Sequence, residues 1–161
     1  MAEKRRDIRL ILDNIRSVHN TASIFRTSDG IGITTIYCVG TTPIPADRFG
    51  RIRKDFQKVS LGAENSIKWV HVEDISQLIN DLKKEQFTVV AVEQNSRSID
   101  YKKFKVSDKT ALILGNEVDG VSKELIYKAD KIIEIPMKGK KESLNVSVAA
   151  GIVLYRLFDT N

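Results

Sequence analysis

Three stretches of the sequence carry residue types suited to holding a charged or polar ligand. The first, NIRSVHNTASIFRTSDGIG (14–32), places Asn20, Arg26 and Asp29 on one helical pattern. A guanidinium among small and apolar residues can clamp a phosphate or a carboxylate. It can equally pair with Asp29, three positions on. Asn20 itself fits the N-cap of this helix. The second stretch, LILGNEVDGVS (112–122), runs from a buried strand pattern through a turn with Gly115 and Gly120 into a helix. Gly115 lets another group approach the backbone closely. Glu117 could meet a cationic ligand or favour the helix start. The turn has neither the Gly-Lys-Ser/Thr of a phosphate-binding loop nor the GxGxxG of a dinucleotide fold. The third stretch, IPMKGKKESLNVSVAAG (135–151), ends a strand at Pro136 and passes a loop with Gly139, Lys138, Lys140 and Lys141. It then opens a helix at Ser143 or Asn145. A side-chain oxygen there caps the helix, and the free N–H groups of a helix start can also meet a ligand.

The elements that must position these residues alternate. IRLILDNI, ITTIYCVG, SIKWVHV, FTVVAVEQ, TALILG and KIIEIPM read as strands, dense in β-branched and apolar residues. Asn20–Gly30, DISQLINDLKKE with Asp74 as N-cap, SKELIYKA with Ser122 as N-cap, and SLNVSVAAGIVLYRLF read as helices. TTPIPADRFG reads as a loop, RIRKDFQKVSLGAE as a basic segment, and SRSIDYKKFKVSDK as a polar connector. Strands alternating with helices predict an α/β fold, a mostly parallel sheet with helices on both faces. Ligands of such sheets sit at the carboxyl ends of the strands, here the loops after VVAVEQ, LILG and IIEIPM. The last helix is apolar on most of its surface, which predicts burial plus a subunit interface.

The bulk numbers fit one domain over residues 1–161. The chain has 42% hydrophobic and 29% charged residues, ordinary for a globular protein. No apolar run approaches the ~20 residues that span a bilayer, and the start has no apolar signal region. A single cysteine, Cys38, excludes a disulfide framework and points to a reducing cytoplasm. Two distant histidines and that lone cysteine supply no zinc spacing, so no metal is expected. The net charge of +5 suits a polyanion. Basic residues cluster at Lys4, Arg5, Arg6 and Arg9, at Arg48, Arg51, Arg53, Lys54 and Lys58, and in the late lysine loop. Any one cluster can equally be a solvated face; three of them beside the ligand-suited loops favour RNA, with Arg5, Arg6, Arg51, Arg53 and Lys54 as its candidate contacts.

Each chemical stretch taken alone is ordinary. Their order is not. Asn-x5-Arg-Thr, then Leu-Gly-Asn-Glu, then Ile-Pro-Met with Glu-Ser-Leu-Asn-Val-Ser closely resembles the SpoU (TrmH) branch of the SPOUT RNA methyltransferases, over nearly the whole chain. The third motif is long and specific. The resemblance implies a C-terminal deep trefoil knot, although knots are otherwise nearly absent from proteins. It implies ribose 2′-O-methylation of tRNA or rRNA with S-adenosylmethionine, by a homodimer paired through the C-terminal helix. Val92, Glu93, Leu114, Gly115, Ile135, Pro136, Met137, Ser143 and Leu144 would line the cofactor site. Arg26, Asn20, Glu117, Ser143 and Asn145 match the family's catalytic positions. Arg26 is the family's proposed base, yet a protein arginine is normally never deprotonated, and clamping a phosphate is the physically safer role. Relatives often carry an extra RNA-gripping segment, and none of any size is evident here. Two rival readings stay open: a base-nitrogen methyltransferase, and a catalytically idle RNA-binding protein of the same fold.

Overall fold

Seven strands, all parallel, make one twisted sheet in the computed structural model, which describes residues 5–159. Lys4 lies outside the described residues. In chain order the strands are β1 (Asp7–Asp13), β2 (Thr35–Val39), β3 (Lys68–Val72), β4 (Thr88–Val92), β5 (Ile99–Asp100), β6 (Lys109–Leu114) and β7 (Lys131–Glu134). The spatial order is β3-β2-β1-β6-β4-β7-β5. β1 and β6, distant in sequence, are therefore neighbours at the centre, in a register that pairs Leu12 with Leu114. The helices are α1 (Val18–Ile31), α2 (Lys54–Ser60), α3 (Ala63–Ser66), α4 (Ile75–Lys84), α5 (Lys123–Lys128) and α6 (Val146–Asp159). Among the described residues no helix is long and apolar enough to cross a membrane.

The strands read as continuous apolar runs because both faces are covered. Leu10, Leu12, Val90, Leu112 and Leu114 point to one side, where Phe25 of α1, Phe56 of α2, Ala63 of α3 and Leu154 and Leu157 of α6 complete a core. Ile11, Val89, Ala91 and Ile113 point to the other, against Ile79 and Leu82 of α4 and Leu125 of α5. Phe25 meets Phe56 edge to face, with ring centroids 5.1 Å apart, a contact worth about 0.5–1.5 kcal/mol beyond its burial.

Several sequence expectations are corrected. The basic segment 51–64, to which the sequence assigns no element, folds into α2 and α3, which bury Phe56, Ser60, Ala63 and Glu64 beside α1. The polar connector contains the short edge strand β5, paired with β7. The cap of α1 is Ser17, whose side chain accepts from Asn20 N at 3.1 Å. Asn20 cannot cap because it sits a turn inside the helix, with its amide engaged elsewhere. Ser122 occupies the N-cap position of α5 but makes no capping bond with its side chain. α6 begins after Asn145, whose Oδ1 accepts from Ser147 N at 2.8 Å, so Asn145 rather than Ser143 meets its first turn. Asp74 caps α4 through Gln77 N as expected.

Candidate active site

The carboxyl ends of parallel strands meet at one edge of the sheet, and there the loops after β4, β6 and β7 enclose a cleft of about 860 Å³. This is a usual size for a small-molecule site. Val92, Glu93, Leu114, Gly115, Glu117, Ile135, Met137, Ser143, Leu144 and Asn145 line it; Pro136 does not, although both its neighbours do.

The polar side of the cleft is held by one hydrogen-bonded chain. The Glu117 carboxylate accepts from Arg16 N at 3.0 Å, Ser17 N at 3.0 Å and Asn20 Nδ2 at 3.2 Å. It thus sits on the free N–H groups before α1, where the helix dipole favours an anion. Asn20 is 8% exposed. Its Oδ1 accepts from Asn145 Nδ2 at 3.1 Å. Asn145 in turn accepts from Ser147 N and, at 2.6 Å, from Ser147 Oγ. One residue from each of the three stretches is therefore joined to the next across 97 and 125 positions. Burial pushes the Glu117 carboxyl up, but the N–H groups of Arg16, Ser17 and its own backbone and the Asn20 amide outweigh this. Together they hold it below its ordinary value.

Glu93 braces the cleft's frame. Its carboxylate accepts from Gln94 N and Val121 N, both at 2.9 Å, tying the end of β4 to the turn after β6. Gly115, which lines the cleft, is required by the close approach of the chain's own backbone. A Cβ there would collide with the backbone of Gly120 and Val121, where Asn116 and Gly120 exchange hydrogen bonds of 2.9 and 3.0 Å. The opposite wall differs in kind. Among the described residues the backbone N–H groups of 137–144 donate to no protein acceptor, and the one bond to this segment is Gln94 Nε2 to Glu142 O at 2.6 Å. Of this segment Met137, Ser143 and Leu144 line the cleft, while 138–142 are exposed.

Sequence reasoning missed Asp13. It is 3% exposed, and its Oδ2 accepts from Ser122 N at 2.9 Å, joining β1 to the start of α5. A carboxylate ending an apolar run was the available signal. Asn116 was missed as well; its Nδ2 donates to Asn14 O at 2.7 Å.

Arg26 is not brought to the cleft. It lies exposed on α1, six residues past Asn20 and so on another face about 9 Å along the axis. Among the described residues it has neither hydrogen bond nor ion pair, so the expected pairing with Asp29 is absent. Arg5 and Arg6 sit before β1, at the sheet edge opposite the cleft, about 20 Å away by strand length. Arg5 reaches Gly32 O at 3.4 Å and Arg6 reaches Leu157 O at 3.0 Å, so both serve the ends of α1 and α6. Arg51, Arg53 and Lys54 lie at the end of the loop after β2 and the start of α2, with Arg51 paired to Asp47 and Arg53 to Asp55 at 2.9 and 2.7 Å.

This cleft and sheet order have relatives. The profile of the SpoU rRNA Methylase family matches residues 7–155. The chain belongs to that family. A tRNA (guanosine(18)-2′-O)-methyltransferase of Aquifex aeolicus is 33% identical over 158 residues, covering 96% of this chain and 70% of its own length. The crystal structure of the A. aeolicus TrmH/SpoU tRNA modifying enzyme superposes with a TM-score of 0.83 at 32% identity, over 97% of this chain and 76% of that one. The SpoU methyltransferase AviRb of Streptomyces viridochromogenes, solved with AdoMet, gives 0.83 at 25% identity, over 96% of this chain and 60% of that one. The chain thus spans roughly two thirds of the length of these SpoU-family relatives.

Proposed function

We propose that this chain transfers a methyl group from S-adenosylmethionine to a ribose 2′-hydroxyl of tRNA or rRNA. The observation that carries the reading is the chain Glu117–Asn20–Asn145 on the side of the strand-end cleft. Membership of the SpoU family, a 2′-O-methylating relative and an AdoMet-bound one support it.

The cleft suits the cofactor's chemistry. Leu114, Ile135 and Leu144 offer apolar surface, and the unengaged backbone N–H groups of Met137, Ser143 and Leu144 offer donors to a heterocycle. When bound, S-adenosylmethionine supplies an electrophilic methyl group on a sulfonium. The residues present would position a ribose for in-line attack and handle the hydroxyl's proton. Glu117 and Asn145 hold Asn20 and the start of α6 in place, and Ser143 lies exposed on the cleft wall. Glu93 braces the wall rather than offering a free carboxylate.

Arg26 enters through a second copy. Its helix packs on α6, with Thr27 Cγ2 within 4.0 Å of where a Gly151 Cβ would stand. The neighbouring surface of α6 exposes Val148 (49%) and Tyr155 (54%), apolar area that favours pairing in a homodimer. Such pairing would carry the partner's Arg26 to the cleft, where its guanidinium clamps the phosphate beside the target ribose. The family's deep knot is part of this reading. It is supported by a sheet order in which β6 and β7 flank the earlier strand β4. Arg51, Arg53 and Lys54 are the proposed RNA contacts, and the cytoplasm the proposed compartment.

The test is transfer from labelled S-adenosylmethionine to bulk RNA of cells lacking the protein, followed by digestion to nucleosides. Label in 2′-O-methylated nucleosides is expected. Label in base-methylated nucleosides would overturn the ribose assignment. Cofactor binding without transfer to any RNA would establish the idle binder instead.

A further inference from the structure

The loop between β2 and α2 presents a small hairpin that the cleft chemistry leaves unused. Ala46 pairs antiparallel with Ile52. Asp47 N donates to Arg51 O at 2.8 Å and Gly50 N to Asp47 O at 2.9 Å. Inside the turn, the Asp47 carboxylate accepts from Phe49 N at 2.8 Å, Arg51 N at 3.0 Å and Arg51 Nε at 2.9 Å. Gly50 has φ of +77° with open space around it, a left-handed reversal that glycine makes without strain. The hairpin is thus braced from within.

What it displays is Phe49, 66% exposed at the tip. The guanidinium of Arg48 lies 4.7 Å from its ring centroid and that of Arg51 lies 5.0 Å away. The loop emerges at the carboxyl end of β2, on the cleft edge, and is tied to the segment that holds Glu117. Thr42 Oγ1 donates to Leu12 O at 2.8 Å and accepts from Ile15 N at 3.0 Å, and Thr41 N donates to Asn14 Oδ1 at 3.1 Å.

We propose that Phe49, with Arg48 and Arg51, is a stacking platform for an unpaired base of the RNA, separate from the nucleotide methylated in the cleft. This rests on the reading of the chain as an RNA methyltransferase. An exposed ring accepts the face of any base, and flanking guanidiniums meet the phosphates on either side. A base inside a duplex has no free face to give, so the platform selects a loop, bulge or end. Arg48 has no hydrogen bond or ion pair among the described residues, so it can leave the ring for a phosphate as a base slides on. Arg51 stays on Asp47 and keeps the tip in shape. The exposed positions from 48 to 54 are Arg48, Phe49, Gly50, Arg51, Ile52 and Lys54, three cations and no acid, a composition that suits a polyanion. The core of a protein interface is instead depleted of charge.

The experiment measures binding of unfractionated tRNA and of a short uridine-rich single-stranded RNA to the full chain over a salt series. Phe49→Ala should weaken both by between about fivefold and a hundredfold, with the slope of log K against log salt unchanged. Arg48→Ala should lower that slope by about one. Phe49→Trp should keep the affinity, and its emission should fall on adding RNA beyond any change from the native Trp69. Phe49→Ala binding like the parent, or emission of the Phe49→Trp variant that responds to RNA no more than the parent's, overturns the platform. So does a Phe49→Ala variant whose sedimentation changes without RNA, which would give the tip to a second copy. None of these readouts needs methyl transfer. RNA held through Phe49 but never labelled would sink the enzymatic reading and leave the platform standing; labelled RNA with an indifferent Phe49→Ala would do the reverse.

Discussion

Replacing Glu117 by alanine tests whether the hydrogen-bonded polar side of the cleft stabilises the fold. The substitution leaves Arg16 N, Ser17 N and Asn20 Nδ2 without their common acceptor. The site is solvent-accessible, so water replaces part of what is lost and the full cost of buried donors does not apply. The loss then resembles that of a helix cap, about 1 kcal/mol, which for a chain of 161 residues lowers Tm by about 2–4 °C. The pH dependence is the sharper part. The folded carboxyl titrates below its ordinary value of 4.5, so its contribution is present above that pH and is lost as pH falls through the folded value. Urea unfolding of parent and Glu117→Ala should therefore differ most near neutral pH and converge as the solution is acidified from 4.5 down through the folded value. A gap that stays constant or widens in acid would refute the argument that the N–H groups before α1 stabilise the charged form. Glu117→Gln should recover part of the stability, since one oxygen still accepts, and should lose the acid-dependent part.

Arg26→Ala should abolish methyl transfer while leaving S-adenosylmethionine affinity nearly intact by titration calorimetry; a large loss of cofactor binding would contradict the assignment of Arg26 to the RNA phosphate rather than to the cofactor. Gly115→Ala should cost about 1–3 kcal/mol in urea unfolding and weaken cofactor binding as well, because its Cβ meets the backbone of Gly120 and Val121; a neutral outcome would mean the turn after β6 yields freely. Burial pushes the Cys38 thiol up to about 12, so a thiol reagent at pH 8 should label it only as fast as the chain unfolds, and rapid labelling of the folded protein would count against its burial.

Much of the architecture could be read locally. Apolar runs such as LILD and ALIL are long enough to name a strand, and their apolar character on both faces implies a sheet covered on both sides. The ordered motifs named the family, because they combine spacing and type over most of the chain. Elements of low periodicity escaped: α2 and α3 are short and basic, and β5 is two residues long, so only their neighbours define them. Asn20 read as a cap because it has the right side chain. The structure gives that place to Ser17, since the Asn20 amide bridges Glu117 and Asn145 instead.

What the sequence determined by itself is therefore the set of chemical groups and the strands and helices that carry them. Only the tertiary structure decided which groups meet. Pairing β1 with β6 brings Asn20 to Glu117, and the return of α6 beside α1 brings Asn145 to Asn20. The same packing leaves Arg26 facing outward and sends Arg5 and Arg6 to the far edge. Hydrogen bonds act over about 3 Å, while residue spacing along a chain reports only the local period. Contacts across a hundred positions exist once the sheet order is set, and no local pattern records that order.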